Sequence, residues 1–182
     1  MTGSIRKRSP GEMTSARPGL EELRKRARFP IVAVLENIRS LYNVGSIFRT
    51  SDGALVEKLY LTGYTGHPPR KEIDKTSLGS TESVPWEHHA DAAKVVVGLK
   101  NEGYRVVSLE HTDRSVPYAE ASYDFPLCLI VGNEVGGISD ELVSLCDSAV
   151  EIPMYGVKGS LNVAVAYGIV VYHLVHEYRL RR

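Results

Sequence analysis

Short apolar runs alternate with amphipathic stretches from Ile31 onward, and this alternation constrains the fold more than any other feature of the chain. Ile31–Leu35, Lys58–Thr62, Arg105–Leu109, Leu127–Val131 and Ala149–Ile152 are each of strand length. Helical spacing lies between them. Val44, Ile47, Phe48 and Leu55 recur on one stripe, and Ala90–Asn101 runs into a terminating Gly103. Ser139–Cys146 opens with a capping hydroxyl, followed by Asp140 and Glu141 in its first turn. Buried strands separated by helices imply an α/β fold, a mainly parallel sheet flanked by helices. At 182 residues, with no internal repeat, the chain is sized for a single core, expected over residues 30–182. Gly63–Thr81, with Gly66, Pro68, Pro69 and Gly79, is expected to be a turn-rich loop.

Residues 1–29 differ from the rest. They carry eight basic side chains against three acidic ones, whereas the remainder holds 14 basic and 19 acidic residues. Met1–Pro18 reads as a flexible tail and Leu20–Ala27 as a short basic helix before Pro30. A basic arm on a mildly acidic body suits a polyanionic partner, and it equally suits a solvated terminus. Cys128 and Cys146 sit in apolar surroundings without metal-ligand spacing, which points to reduced thiols and no metal site. The longest apolar stretch, Val163–Val175, is too short to span a bilayer, and no secretory core follows Met1. The protein is expected to be cytoplasmic, without membrane association.

Three segments have the makings of a site. Glu151–Ala166 reads as a strand end at Pro153, a loop punctuated by Gly156 and Gly159, and a helix that Ser160 opens and caps, with Asn162 in its first turn. Leu127–Gly137 is a strand running into a glycine-rich turn, the place where open α/β sheets bind ligands. Its glycines do not match the dinucleotide fingerprint, and no phosphate-binding P-loop is present. Glu134 in that turn has three readings: a general base, a hydrogen-bond anchor or a loop carboxylate. In Asn43–Arg49, Asn43 is placed as a helix N-cap with Arg49 projecting from the helix. The final helix, Ser160–Arg179, is apolar nearly all round, so its burial at a homodimer interface is expected.

The order of these segments, NxGxxxR at Asn43–Arg49, GNExxG at Gly132–Gly137 and IPMxGxxxSLNVxxA at Ile152–Ala166, resembles the three motifs of the SpoU (TrmH) family of RNA 2′-O-ribose methyltransferases in the SPOUT superfamily. The resemblance extends over roughly Ile31–Tyr178. It implies a C-terminal deep trefoil knot, which strand patterning alone would discount, and S-adenosylmethionine as cofactor. It places the cofactor against Leu109, Gly132, Asn133, Ile152, Met154, Ser160 and Leu161. It makes Arg49 the catalytic arginine, with Asn43, Glu134, Ser160 and Asn162 orienting it, the ribose and the loop. A guanidinium is a very poor base, so Arg49 is expected to stabilise the forming alkoxide and grip the adjacent phosphate. Whether it also accepts the proton stays open. RNA, as tRNA or rRNA, is the implied partner. Arg70, Lys71 and Lys75 are candidates for contact with its backbone. The alternatives are a catalytically silent RNA-binding homologue of the same fold and an α/β enzyme with another nucleotide cofactor.

Overall fold

The computed structural model describes residues 5–15 and 17–181. Elements follow in chain order: α1 (Pro10–Ser15), α2 (Leu20–Lys25), β1 (Phe29–Glu36), α3 (Leu41–Gly53), β2 (Val56–Thr62), α4 (Lys71–Ser77), α5 (Ser80–Ser83), β3 (Trp86–His89), α6 (Ala92–Asn101), β4 (Arg105–Leu109), β5 (Val116–Pro117), β6 (Leu127–Val131), α7 (Asp140–Leu145), β7 (Ser148–Glu151) and α8 (Val163–Leu180). The strands form one sheet in the order β3-β2-β1-β6-β4-β7-β5, and every pairing is parallel.

Successive side chains of a strand point to opposite faces, and the two central strands show this in their burial. Ile31, Ala33 and Leu35 of β1 join Leu127, Leu129 and Val131 of β6 in a core roofed by Ile47, Phe48, Tyr167 and Val170 of α3 and α8. Val32, Val34, Cys128 and Ile130 face the other way, onto Val96 and Leu99 of α6 and Leu142 of α7. Helices on both faces follow from strands that are apolar on both. A buried hydroxyl pair locks α8 to α3. Ser51 Oγ donates to Ile47 O at 2.7 Å and lies 2.7 Å from the Tyr167 hydroxyl, which is therefore the donor between the two.

Several expectations are corrected. Ser40, not Asn43, caps α3, its hydroxyl accepting from Asn43 N, so Asn43 is the third helical residue. Leu55 lies beyond α3 with φ 52° rather than on its stripe. Asn162, not Ser160, caps α8, accepting from Ala164 N at 2.9 Å and Val165 N at 3.3 Å. The expected loop Gly63–Thr81 contains α4 and the start of α5, stabilised by burial of Ile73 and by Leu78 ending α4 in the left-handed region. Edge strands β3 and β5 had no expected counterpart. The tail contains α1, held by Arg6 and Glu12 at 2.6 Å, while Met1–Ser4 and Ala16 lie outside the described residues. Cys128 is buried and Cys146 half-buried, both free, and burial pushes the Cys146 thiol up to about 11. Among the described residues no cluster of three metal ligands occurs and no helix is long and apolar enough to cross a membrane.

Candidate active site

A cavity of about 280 Å³ opens at the C-terminal ends of β4, β6 and β7. Parallel sheets bind ligands at this end because loops and unpaired backbone groups converge there. Its floor is tight. The turn after β6 is pinched by two backbone hydrogen bonds of 2.9 Å between Asn133 and Gly137. A Cβ on Gly132 would lie 2.3 Å from Gly137 C and 2.4 Å from Ile138 N, so only glycine lets the strand end pass under its own turn. Gly137, at φ 68°, abuts the Glu110 carboxylate, which accepts from Ile138 N at 2.9 Å.

Of the expected cofactor residues, Leu109, Gly132, Asn133, Ile152, Met154, Ser160 and Leu161 all line this cavity. The polar groups of the Asn133 side chain are already engaged. Its Oδ1 accepts from Val135 N and Gly136 N at 2.9 and 2.8 Å, and its Nδ2 donates to Asn37 O and the Tyr64 hydroxyl at 2.9 and 2.8 Å. Asn133 therefore builds the wall rather than offering a free amide to a ligand.

The three segments meet through a chain of hydrogen bonds at the cavity's edge. Glu134 accepts from Arg39 N and Ser40 N, each at 2.9 Å, and from Asn43 Nδ2 at 2.8 Å. Asn43 Oδ1 in turn accepts from Asn162 Nδ2 at 3.0 Å. Asn162 then caps α8 with its remaining oxygen. Burial opposes a charge on Glu134, yet its donors prevail and hold its pKa below the ordinary carboxylate value. Of the three readings of Glu134, the geometry displays the anchor, with its two oxygens accepting from three donors.

Arg49 is not gathered in. It is exposed on α3, six residues beyond Asn43 and so about 9 Å further along the helix axis. It does not line the cavity and has no hydrogen bond or ion pair among the described residues. Sequence reasoning missed Glu110, His111 and Glu151, which do line it. His111 Nδ1 lies 3.3 Å from Glu151 Oε2, which also accepts from Ser115 Oγ at 2.5 Å, and these two contacts lower the Glu151 pKa. Glu151 ends β7, and Glu110 and His111 follow β4, but only the pairing of those two strands brings them together. Among the described residues, three carboxylates and no Lys or Arg line the cavity, a wall that favours a ligand bearing positive charge.

Fold and cavity together define an α/β protein with a ligand site built from glycine-rich strand ends. The profile of the SpoU rRNA Methylase family matches residues 30–172, and the chain belongs to that family. It is 33% identical over 154 residues to the tRNA (guanosine(18)-2′-O)-methyltransferase of Aquifex aeolicus (strain VF5), covering 84% of this chain and 72% of that protein. The crystal structure of the A. aeolicus TrmH/SpoU tRNA modifying enzyme superimposes with a TM-score of 0.79 at 32% identity, covering 89% of this chain and 83% of that one. The AdoMet-bound rRNA methyltransferase from Sinorhizobium meliloti gives 0.75 at 30% identity, over 83% of this chain and 56% of that one.

Proposed function

We propose that this chain transfers the methyl group of S-adenosylmethionine to a ribose 2′-hydroxyl of tRNA or rRNA. The observation that carries the reading is the chain Glu134–Asn43–Asn162, which draws all three family segments to the edge of one acidic cavity. The lining fits the cofactor. Leu109, Ile152 and Leu161 give apolar surface for an adenine, and Glu110, Glu134 and Glu151 set negative charge around a sulfonium. Bound there, S-adenosylmethionine supplies an electrophilic methyl group. Glu151–Asn162 is the segment we assign to the trefoil knot, running past the Gly132–Gly137 turn, with the body 30–182 as the methyltransferase domain and residues 1–29 as a basic arm for RNA. The same reading puts the enzyme in the cytoplasm, where those RNAs are modified.

The reaction asks the chain to hold a weak nucleophile in line and to stabilise the charge that develops on it. Ser160 and Asn162 line the cavity, and we assign them to orienting the ribose. Arg49 carries the positive charge for the alkoxide and the neighbouring phosphate. Because it lies outside its own cavity, we assign it to the cavity of a second copy. Val165 and Tyr172 leave an exposed apolar stripe on α8, each 52% accessible. That stripe runs beside the turn of α3 that carries Arg49: a Cβ on Gly168 would sit 3.7 Å from Thr50 Cγ2, and one on Gly53 2.7 Å from the Tyr172 hydroxyl. A homodimer through this face buries the stripe and sets Arg49 at the subunit boundary.

Calorimetric titration with S-adenosylmethionine, followed by transfer assays on unmodified RNA, tests the reading. Wild-type protein should bind and transfer. Arg49→Ala should bind normally and lose roughly 100-fold or more in turnover. Absence of cofactor binding contradicts the reading, and wild-type turnover in the variant removes Arg49 from the chemistry.

A further inference from the structure

At the rim of the cavity begins a row of rings that the chemistry above does not use. Tyr64, 63% exposed, receives its hydrogen bond from Asn133 in the cavity wall. One residue back, Gly63 O accepts from His88 Nε2–H at 3.1 Å. His88 lies 4.8 Å from His67 between ring centroids, and His67 stacks on Trp86 at 5.9 Å with 24° between planes. Trp86 is anchored edge-on to buried Phe48 at 6.3 Å, and His67 Nδ1–H donates to Pro68 O at 2.8 Å. Alternation along β3 puts Trp86 and His88 on one face. Glu87 goes to the other, where Lys58 and His89 pair with it at 2.5 and 2.9 Å.

His67 and His88 are exposed, and so are Arg70 and Lys71 a few residues further on, which have no ion-pair partner among the described residues. The acid nearest them in sequence, Glu72, is half-buried at the start of α4. Pre-set ring faces beside unpaired cations make a surface suited to unstacked bases and their phosphates, since every base has a π face and duplex RNA hides it.

We propose that Tyr64, His67, His88 and Trp86 form a platform that stacks an unpaired base of the RNA beside the ribose entering the cavity, with Arg70 and Lys71 on its backbone. The proposal rests on the methyl-transfer reading and narrows its substrate to single-stranded loops. The platform discriminates by the availability of base faces, not by hydrogen-bond readout. It therefore contributes to RNA affinity and leaves the cofactor site untouched.

Trp86 is the only tryptophan of the chain, so its fluorescence reports on the platform alone. A hairpin with an unpaired loop should quench it saturably, whereas a duplex with the same number of phosphates should not. His67→Ala combined with His88→Gln, which keeps an amide donor for Gly63 O, should raise Kd and KM for the hairpin by about 10-fold or more. Cofactor affinity, and kcat at saturating RNA, should stay at wild-type values. Equal affinity for hairpin and duplex, or wild-type KM in the double variant, overturns the platform while methyl transfer stands. Binding of neither RNA overturns it as well. Loop-specific quenching without transfer by the wild-type protein upholds the platform and contradicts the methyl-transfer reading.

Discussion

Glu134 shows how one residue can tie separate segments of a chain into one site. Its two oxygens take three donors from α3 and the residues before it, and Asn43 passes the connection on to Asn162. Its folded pKa lies below the ordinary value of 4.5, so the ionised form stabilises the fold above that pH. The contribution is lost as pH falls through the lowered folded value. Glu134→Gln should accordingly be less stable than wild type at neutral pH, with the gap closing below pH 4.5. Urea midpoints across that range measure it, and a gap that ignores pH contradicts the anchor role. Ser77 is the opposite case: it is 1% exposed and its hydroxyl has no partner among the described residues. Ser77→Ala removes an unpaired buried group, so thermal denaturation should show equal or higher stability, by up to about 1 kcal/mol.

The turn after β6 is the element on which the cavity depends. An added methyl at Gly132 meets the backbone of Gly137 and Ile138, so the strand end and turn must separate to admit it. Gly132→Ala should lower S-adenosylmethionine affinity by about 10-fold or more by calorimetry, with a cooperative but earlier melt; unchanged affinity contradicts the close approach. Elements such as this were legible because their burial is periodic: β1 and β6 alternate strictly between two cores. Helix starts were less legible. Ser160 and Asn162, like Ser40 and Asn43, both offer capping oxygens, and only the backbone path decides which is used. The strands β3 and β5 escaped notice because WEHH and VP are short and sit at sheet edges, where half of each strand is solvated. In α4, glycine and proline signals nearby outweighed a helix whose core contact is the single apolar Ile73. The site was legible from motif order, whereas the acidic wall of Glu110 and Glu151 appears only once β4 and β7 are neighbours.

At the scale of the molecule, an arginine assigned to the chemistry stands outside its own cavity, next to an exposed apolar stripe. Both features are accounted for if two copies associate through α8 and exchange Arg49. Sedimentation should show a dimer, and Val165→Asp with Tyr172→Asp should yield monomers that bind cofactor yet fail to transfer. Mixing inactive Arg49→Ala and Asn162→Ala proteins under exchange conditions should restore roughly a quarter of wild-type activity, from mixed dimers with one intact site. No recovery contradicts an arginine acting across the interface. The identity of the product remains the most direct test of the whole. Unmodified tRNA and rRNA transcripts incubated with methyl-labelled S-adenosylmethionine should carry the label in dinucleotides that resist alkali, because a methylated 2′-oxygen cannot attack the adjacent phosphate. Label released as mononucleotides modified on the base, or no label in RNA despite bound cofactor, would contradict ribose 2′-O-methylation.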